Sequence, residues 1–172
     1  MTTIDFNTLP ADIHPLLENI IGGITASIDN QRFVQPIWFM VDRKKERMMP
    51  FSTSFSSDDD RRVVAHLIRT LVLAQQPHVD AVIFICEAWR KQLIKGDPEF
   101  EHRTKPVKDL PGREDILMIM VETHEGIWIA NAVIKGEPEH ERELTSIRFE
   151  LEHTISGQMA NFLPSRNKKG MH

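Results

Sequence analysis

Of the residues in this 172-residue chain that could do chemistry, Glu87 stands out. It follows the apolar run AVIFIC at 81–86 and precedes Ala88-Trp89, so its surroundings are expected to be drier than those of the surface acids. Burial raises a carboxyl pKa unless a cation or hydrogen-bond donors compensate. A perturbed acid in a cleft is a candidate general acid or base. Arg113 is the expected partner. If the strand ending at Trp89 pairs antiparallel with one beginning at Glu114, a Glu87–Arg113 ion pair closes the base of the intervening loop. As chemistry, the pair makes Glu87 the proton-transfer group and Arg113 the residue that orients an anionic substrate. As structure, it is a buried pair that fixes the loop, and this is the favoured reading. Glu114 and Asp115 offer a second carboxylate, but neighbours on a strand point to opposite faces.

Cys86-Glu87-Ala88-Trp89, followed after a long polar loop by Pro111-Gly112-Arg113-Glu114 and an apolar strand, resembles a pattern in uncharacterised bacterial and phage proteins. There an E-A-W segment precedes a P-x-R-E segment that opens a strand. The similarity spans roughly 80–123 and implies a bacterial or phage origin; it brings no activity and no catalytic role for Glu87, Trp89, Arg113 or Glu114.

Other chemistries find little support. The eight histidines are scattered, with no H-E-x-x-H and no C-x-x-C. Asp58-Asp59-Asp60 suits a helix N-terminus, where the dipole favours negative charge, better than a cation site needing converging oxygens. Cys86 belongs to an apolar strand, where a thiol is inert. Ser52, Ser54, Ser56 and Ser57 lack a nucleophile elbow, no phosphate-binding glycine loop occurs, and tyrosine is absent. No cofactor and no metal ion is expected. With a net charge of −4 and a pI near 6.1, nucleic acid is not an expected partner. Arg43-Lys44-Lys45 and Arg166, Lys168 and Lys169 read as a solvated turn and tail. The longest apolar runs fall far short of the ~20 residues of a membrane span. The N-terminus shows no secretory pattern, and the lone cysteine suits a reducing compartment, so a cytoplasmic location is expected.

The elements that must position these residues follow from periodicity. Apolar residues at three- and four-residue steps predict helices over 12–28 and from Asp58 to the stop at Pro77. Strands are expected over 33–42 and 46–51 as a hairpin, then over 80–89, 116–123, 127–134 and 144–153. Pro36 and Pro50 each lack a ladder donor and belong at strand ends, edges or bulges. Without alternating βαβ units, the expected class is α+β: a mainly antiparallel sheet of five to six strands with both helices on one face. One domain over 1–163 and a flexible basic tail over 164–172 complete the layout. The long connection between Trp89 and Arg113 is expected to be a mobile arm.

Trp38, Phe39, Met40, Met48 and Met49 concentrate adaptable apolar surface on one predicted hairpin, and Trp38, Met40 and Met48 are its expected interface. The function expected from this is that of a non-catalytic, cytoplasmic interaction or accessory protein. Its expected partners are a second copy of itself, as a homodimer, and another protein. The alternative is a small hydrolase-like enzyme using Glu87 and Arg113, and a weaker third is capture of a small anionic ligand beneath the arm.

Overall fold

The computed structural model describes residues 2–75, 78–93, 96, 106–136, 141–153 and 160–163. The first helix, α1 (His14–Asp29), carries Pro15 in its opening turn, where the missing N–H has no intrahelical partner. Leu16, Leu17, Ile20, Ile21, Ile24 and Ile28 form its buried stripe, and the helix continues unbroken through the exposed Gly22-Gly23 pair. The second, α2 (Asp58–Ala74), opens with a reciprocal cap: Ser57 Oγ accepts from Asp60 N–H, and the Asp60 carboxylate accepts from Ser57 N–H.

The strands are β1 (Ile4–Asp5), β2 (Ile37–Asp42), β3 (Arg47–Ser52), β4 (Ala81–Arg90), β5 (Glu114–Thr123), β6 (Ile127–Lys135), β7 (Glu143–Leu144), β8 (Ile147–Arg148) and β9 (Glu150–Glu152). The main sheet is antiparallel with order β3-β2-β4-β5-β6-β7, and β9 also pairs with β6. The class is α+β, as expected, with one short strand more than the five to six anticipated. The β2–β3 turn lacks an Asn-Gly signal because it is built otherwise. Arg43–Lys45 form a short 3-10 turn, the Asp42 carboxylate accepts from Lys45 N–H at 3.1 Å, and Glu46 takes the left-handed conformation at φ 49.

Two expectations are corrected. The helices lie on opposite faces of the sheet, not on one. Phe39, Val41, Ile83, Ile85, Leu117, Ile119 and Val121 cluster with α1, whereas Trp38, Met40, Val82, Phe84, Cys86 and Met120 cluster with Ala65, Ile68 and Val72 of α2. Successive side chains on a strand alternate faces, so the apolar runs of β2, β4 and β5 are apolar because each face has its own helix. The single strand expected over 144–153 is three short ones. Its backbone leaves β6 after β7, pairs through β8 with β1 in parallel, and returns to β6 as β9. Ile147 N–H and Phe149 N–H donate to the Thr3 and Asp5 carbonyls, which makes the N-terminal residues part of the fold. The expected basic tail over 164–172 and the middle of the expected arm over 97–105 lie outside the described residues.

Candidate functional site

Glu87 and Arg142 meet on the α1 side of the sheet because both occupy inward-facing positions. Glu87 continues the parity of Ile83 and Ile85 along β4, and Arg142 that of Leu144 along β7. An acid and a base forced inward must satisfy each other. Arg142 Nη2 donates to Glu87 Oε2 at 2.7 Å, with the two side chains only 7% and 6% exposed. Val34 N–H donates to Glu87 Oε1 at 2.8 Å, and Arg142 Nη1 donates to the Arg32 carbonyl at 3.2 Å. Both carboxylate oxygens are therefore engaged.

Glu87 thus pairs with Arg142 instead of the expected Arg113. The expected strand pairing does hold, with Trp89 opposite Asp115 and Arg90 opposite Glu114. Arg113 lies just outside it. Its guanidinium stands over the Trp89 ring at 5.7 Å from the centroid, and its Nε is 4.0 Å from the Asp115 carboxylate. Glu114 is on the other face, bound to Arg90 at 2.8 Å. Of the nominated residues, the structure brings Glu87 and Arg113 to one cleft and leaves Glu114 out of it.

That cleft has a volume of about 250 Å³ and is lined by Gln31, Phe33, Glu87, Ala88, Trp89, Arg113, Asp115 and Arg142. The buried ion pair is its floor. Its lips are aromatic: Phe33 is 52% and Trp89 45% exposed. Phe33 points outward because Val34 beside it turns inward, its amide held by Glu87. Sequence reasoning missed Arg142 and Phe33. For Arg142 a signal existed, since it lies two residues before the apolar Leu144 and so shares its inward face.

The hairpin residues divide. Trp38 and Met40 are buried, Trp38 completely, and so cannot form the expected interface; Trp38 stacks on Phe84 at 4.2 Å and donates its indole N–H to Thr53 Oγ1. The physical reason is that β2 lies between β3 and β4 with α2 covering this face. Met48 is exposed as expected, together with Met49. Both belong to β3, the edge of the main sheet. Thr53 N–H donates to the Pro36 carbonyl, so positions 47, 49, 51 and 53 aim their backbone groups at β2, and 48, 50 and 52 aim theirs outward. Pro50, which has no N–H, falls at an outward position and blunts this edge against strand addition.

Arg43, read from sequence as part of a solvated basic turn, is instead a clasp. It donates to both oxygens of Asp12 at 2.9 and 2.7 Å and to both oxygens of Glu125 at 3.0 and 2.9 Å, while its N–H donates to Asp80. Burial works against its charge, but the two carboxylates outweigh that and hold the guanidinium firmly protonated. Burial likewise disfavours the charged Glu125, yet the Thr123 hydroxyl and Arg43 keep its carboxyl below the usual range. Cys86 is buried, and desolvation pushes its thiol up to about 12, in keeping with an inert side chain. Among the described residues, no group of three or more His, Cys, Asp or Glu is placed to hold a metal ion, and no helix is long and apolar enough to cross a membrane. Comparison with protein-family models, with curated proteins and with solved structures gave no significant match.

Proposed function

We propose that this is a non-catalytic interaction protein whose contact site is the cleft between Phe33 and Trp89, with a second copy of the chain as its first partner. One observation carries the reading: the acid best placed for proton transfer forms the cleft floor with both oxygens engaged by Arg142 and Val34, while the cleft's lips present aromatic side chains to solvent. A general acid or base must reach a substrate proton at hydrogen-bond distance, and Glu87 is committed to Arg142 and Val34. Trp, Phe and Arg at a concave site with a polar rim, here Gln31 and Asp115, have the composition of an interface hot spot. Self-association by strand addition at β3 is disfavoured by Pro50, so contacts are made through side chains. A cytoplasmic setting and a bacterial or phage origin belong to the same proposal, the latter resting on the E-A-W and P-x-R-E resemblance alone.

Light scattering on the full chain and on Trp89→Glu tests the reading. It expects a wild-type dimer and a folded, monomeric variant. A wild-type monomer removes the second copy as partner, and a dimer unchanged by the substitution removes the cleft as the contact site.

A further inference from the structure

The α2 side of the sheet holds a second buried carboxylate. Glu122 is 3% exposed, opposite Val82 on β4 and Ile127 on β6. Its two oxygens accept consecutive backbone N–H groups, from Phe162 at 3.0 Å and Leu163 at 2.7 Å. At the other end of the same stretch, Arg69 Nη2 donates to the Ala160 carbonyl at 2.9 Å. Between these polar grips the Phe162 ring meets Trp38 edge-on at 5.1 Å, with the Arg69 guanidinium 5.0 Å from its centroid. Asn161, exposed and left-handed at φ 60, makes the turn that aims both N–H groups at one carboxylate.

Residues 160–163 belong to no strand, so the carboxylate, the arginine and one aromatic pocket supply the hold that a ladder would otherwise give. Burial pushes the Glu122 carboxyl above its usual range, which the N–H donors of Phe162 and Leu163 only partly offset. Lifting this segment returns the Glu122 charge to water, which offsets part of the cost of exposing Ala160, Phe162 and Leu163.

We propose that Glu122, Arg69 and the Trp38 pocket form a peptide-docking site, filled in cis by residues 160–163 acting as a detachable strap, and able to take the same stretch from a second copy of the chain. The ligand class follows from the geometry. It is a short segment with a carbonyl for Arg69, a residue tolerant of the left-handed conformation, then an aromatic and an aliphatic residue that present consecutive N–H groups. Asn or Gly fits the turn position, whereas a β-branched residue is strained there.

Two measurements on the full chain test this. In wild type, amide exchange at Phe162 and Leu163 is expected roughly a hundredfold faster than at Ile83 and Ile119, because the strap opens without global unfolding. Equal protection at both sets overturns the proposal. In Phe162→Ala, acetylated and amidated Ala-Asn-Phe-Leu is expected to bind roughly tenfold tighter than to wild type, with the Asn→Gly peptide binding too and the Asn→Val peptide failing. A folded Phe162→Ala protein that takes up none of these peptides also overturns it. If that variant does not fold, the exchange result on wild type decides alone.

Discussion

Removing Arg142 should be among the most damaging single changes outside the apolar core. In Arg142→Met, Glu87 keeps the Val34 N–H and loses the partner of its other oxygen, in a place where its side chain is 6% exposed. In Glu87→Leu, Arg142 keeps only the Arg32 carbonyl at 3.2 Å, and the Val34 amide loses its acceptor. Breaking a buried pair by removing one partner costs ~3–5 kcal/mol, since the survivor is left charged and dry. Replacing both partners with apolar residues of similar volume is often neutral, so Glu87→Leu/Arg142→Met should cost less than either single change. Urea unfolding followed by circular dichroism reads this directly. With a slope of ~2 kcal/mol per M, a 4 kcal/mol loss lowers the midpoint by ~2 M. A shift under ~0.5 M for Arg142→Met, or a double variant that loses the sum of the two singles, would refute the account of the cleft floor.

The remaining predictions concern other sites. Met48→Glu should change stability by less than ~0.5 kcal/mol, as for an exposed position, whereas Trp38→Glu should abolish the cooperative unfolding transition. Pro50→Val restores an outward N–H on β3 and should raise the apparent mass at high concentration in light scattering; no change would remove the role assigned to Pro50. Glu122 binds a proton in the folded state at pH values where the unfolded chain has released it. Its contribution to stability is therefore present at low pH and lost as pH rises through the raised folded-state pKa. The Arg69 charge faces it from α2 and limits the shift. Glu122→Gln should flatten the fall in stability measured by urea melts above pH ~4.3, and a slope identical to wild type would contradict this. Cys86 should resist iodoacetamide at pH 8 until the chain unfolds; rapid native-state labelling would contradict its burial.

The sequence made the main elements legible because their periods are strong. The six-residue stripe of α1, the Asp-rich start of α2 and the long apolar runs of β4 and β5 all appear where the spacing places them. Periodicity says which residues turn inward and not which side of a sheet a helix covers, so the opposite placement of α1 and α2 was hidden. The β4–β5 pairing at Trp89 and Glu114 was readable from the strand ends, and it put Glu87 and Arg113 in the same neighbourhood. Arg142 enters from 55 positions away, a separation that no local pattern reports. The reading of Trp38 and Met40 as surface failed because an edge hairpin and a doubly covered one share the same alternation; only the identity of the outermost strand separates them.

The Arg43 clasp joins four stretches of chain, at residues 12, 43, 80 and 125, with hydrogen bonds at one end of the sheet. At the opposite end of the β4–β5 pair, the described residues are joined by the Arg90–Glu114 bridge, by the Arg113–Asp115 contact and by Lys91 Nζ donating to the Pro111 carbonyl. The described start and end of the connection there, at 91–93 and 106–109, lie at the surface. Each doubling of a flexible loop adds only ~0.6 kcal/mol of closure entropy, so an insertion at these ends costs little. Insertions there would reshape the border of the cleft while the bound end keeps the strand register. That pole is thus where a new partner could be accommodated without rebuilding the sheet.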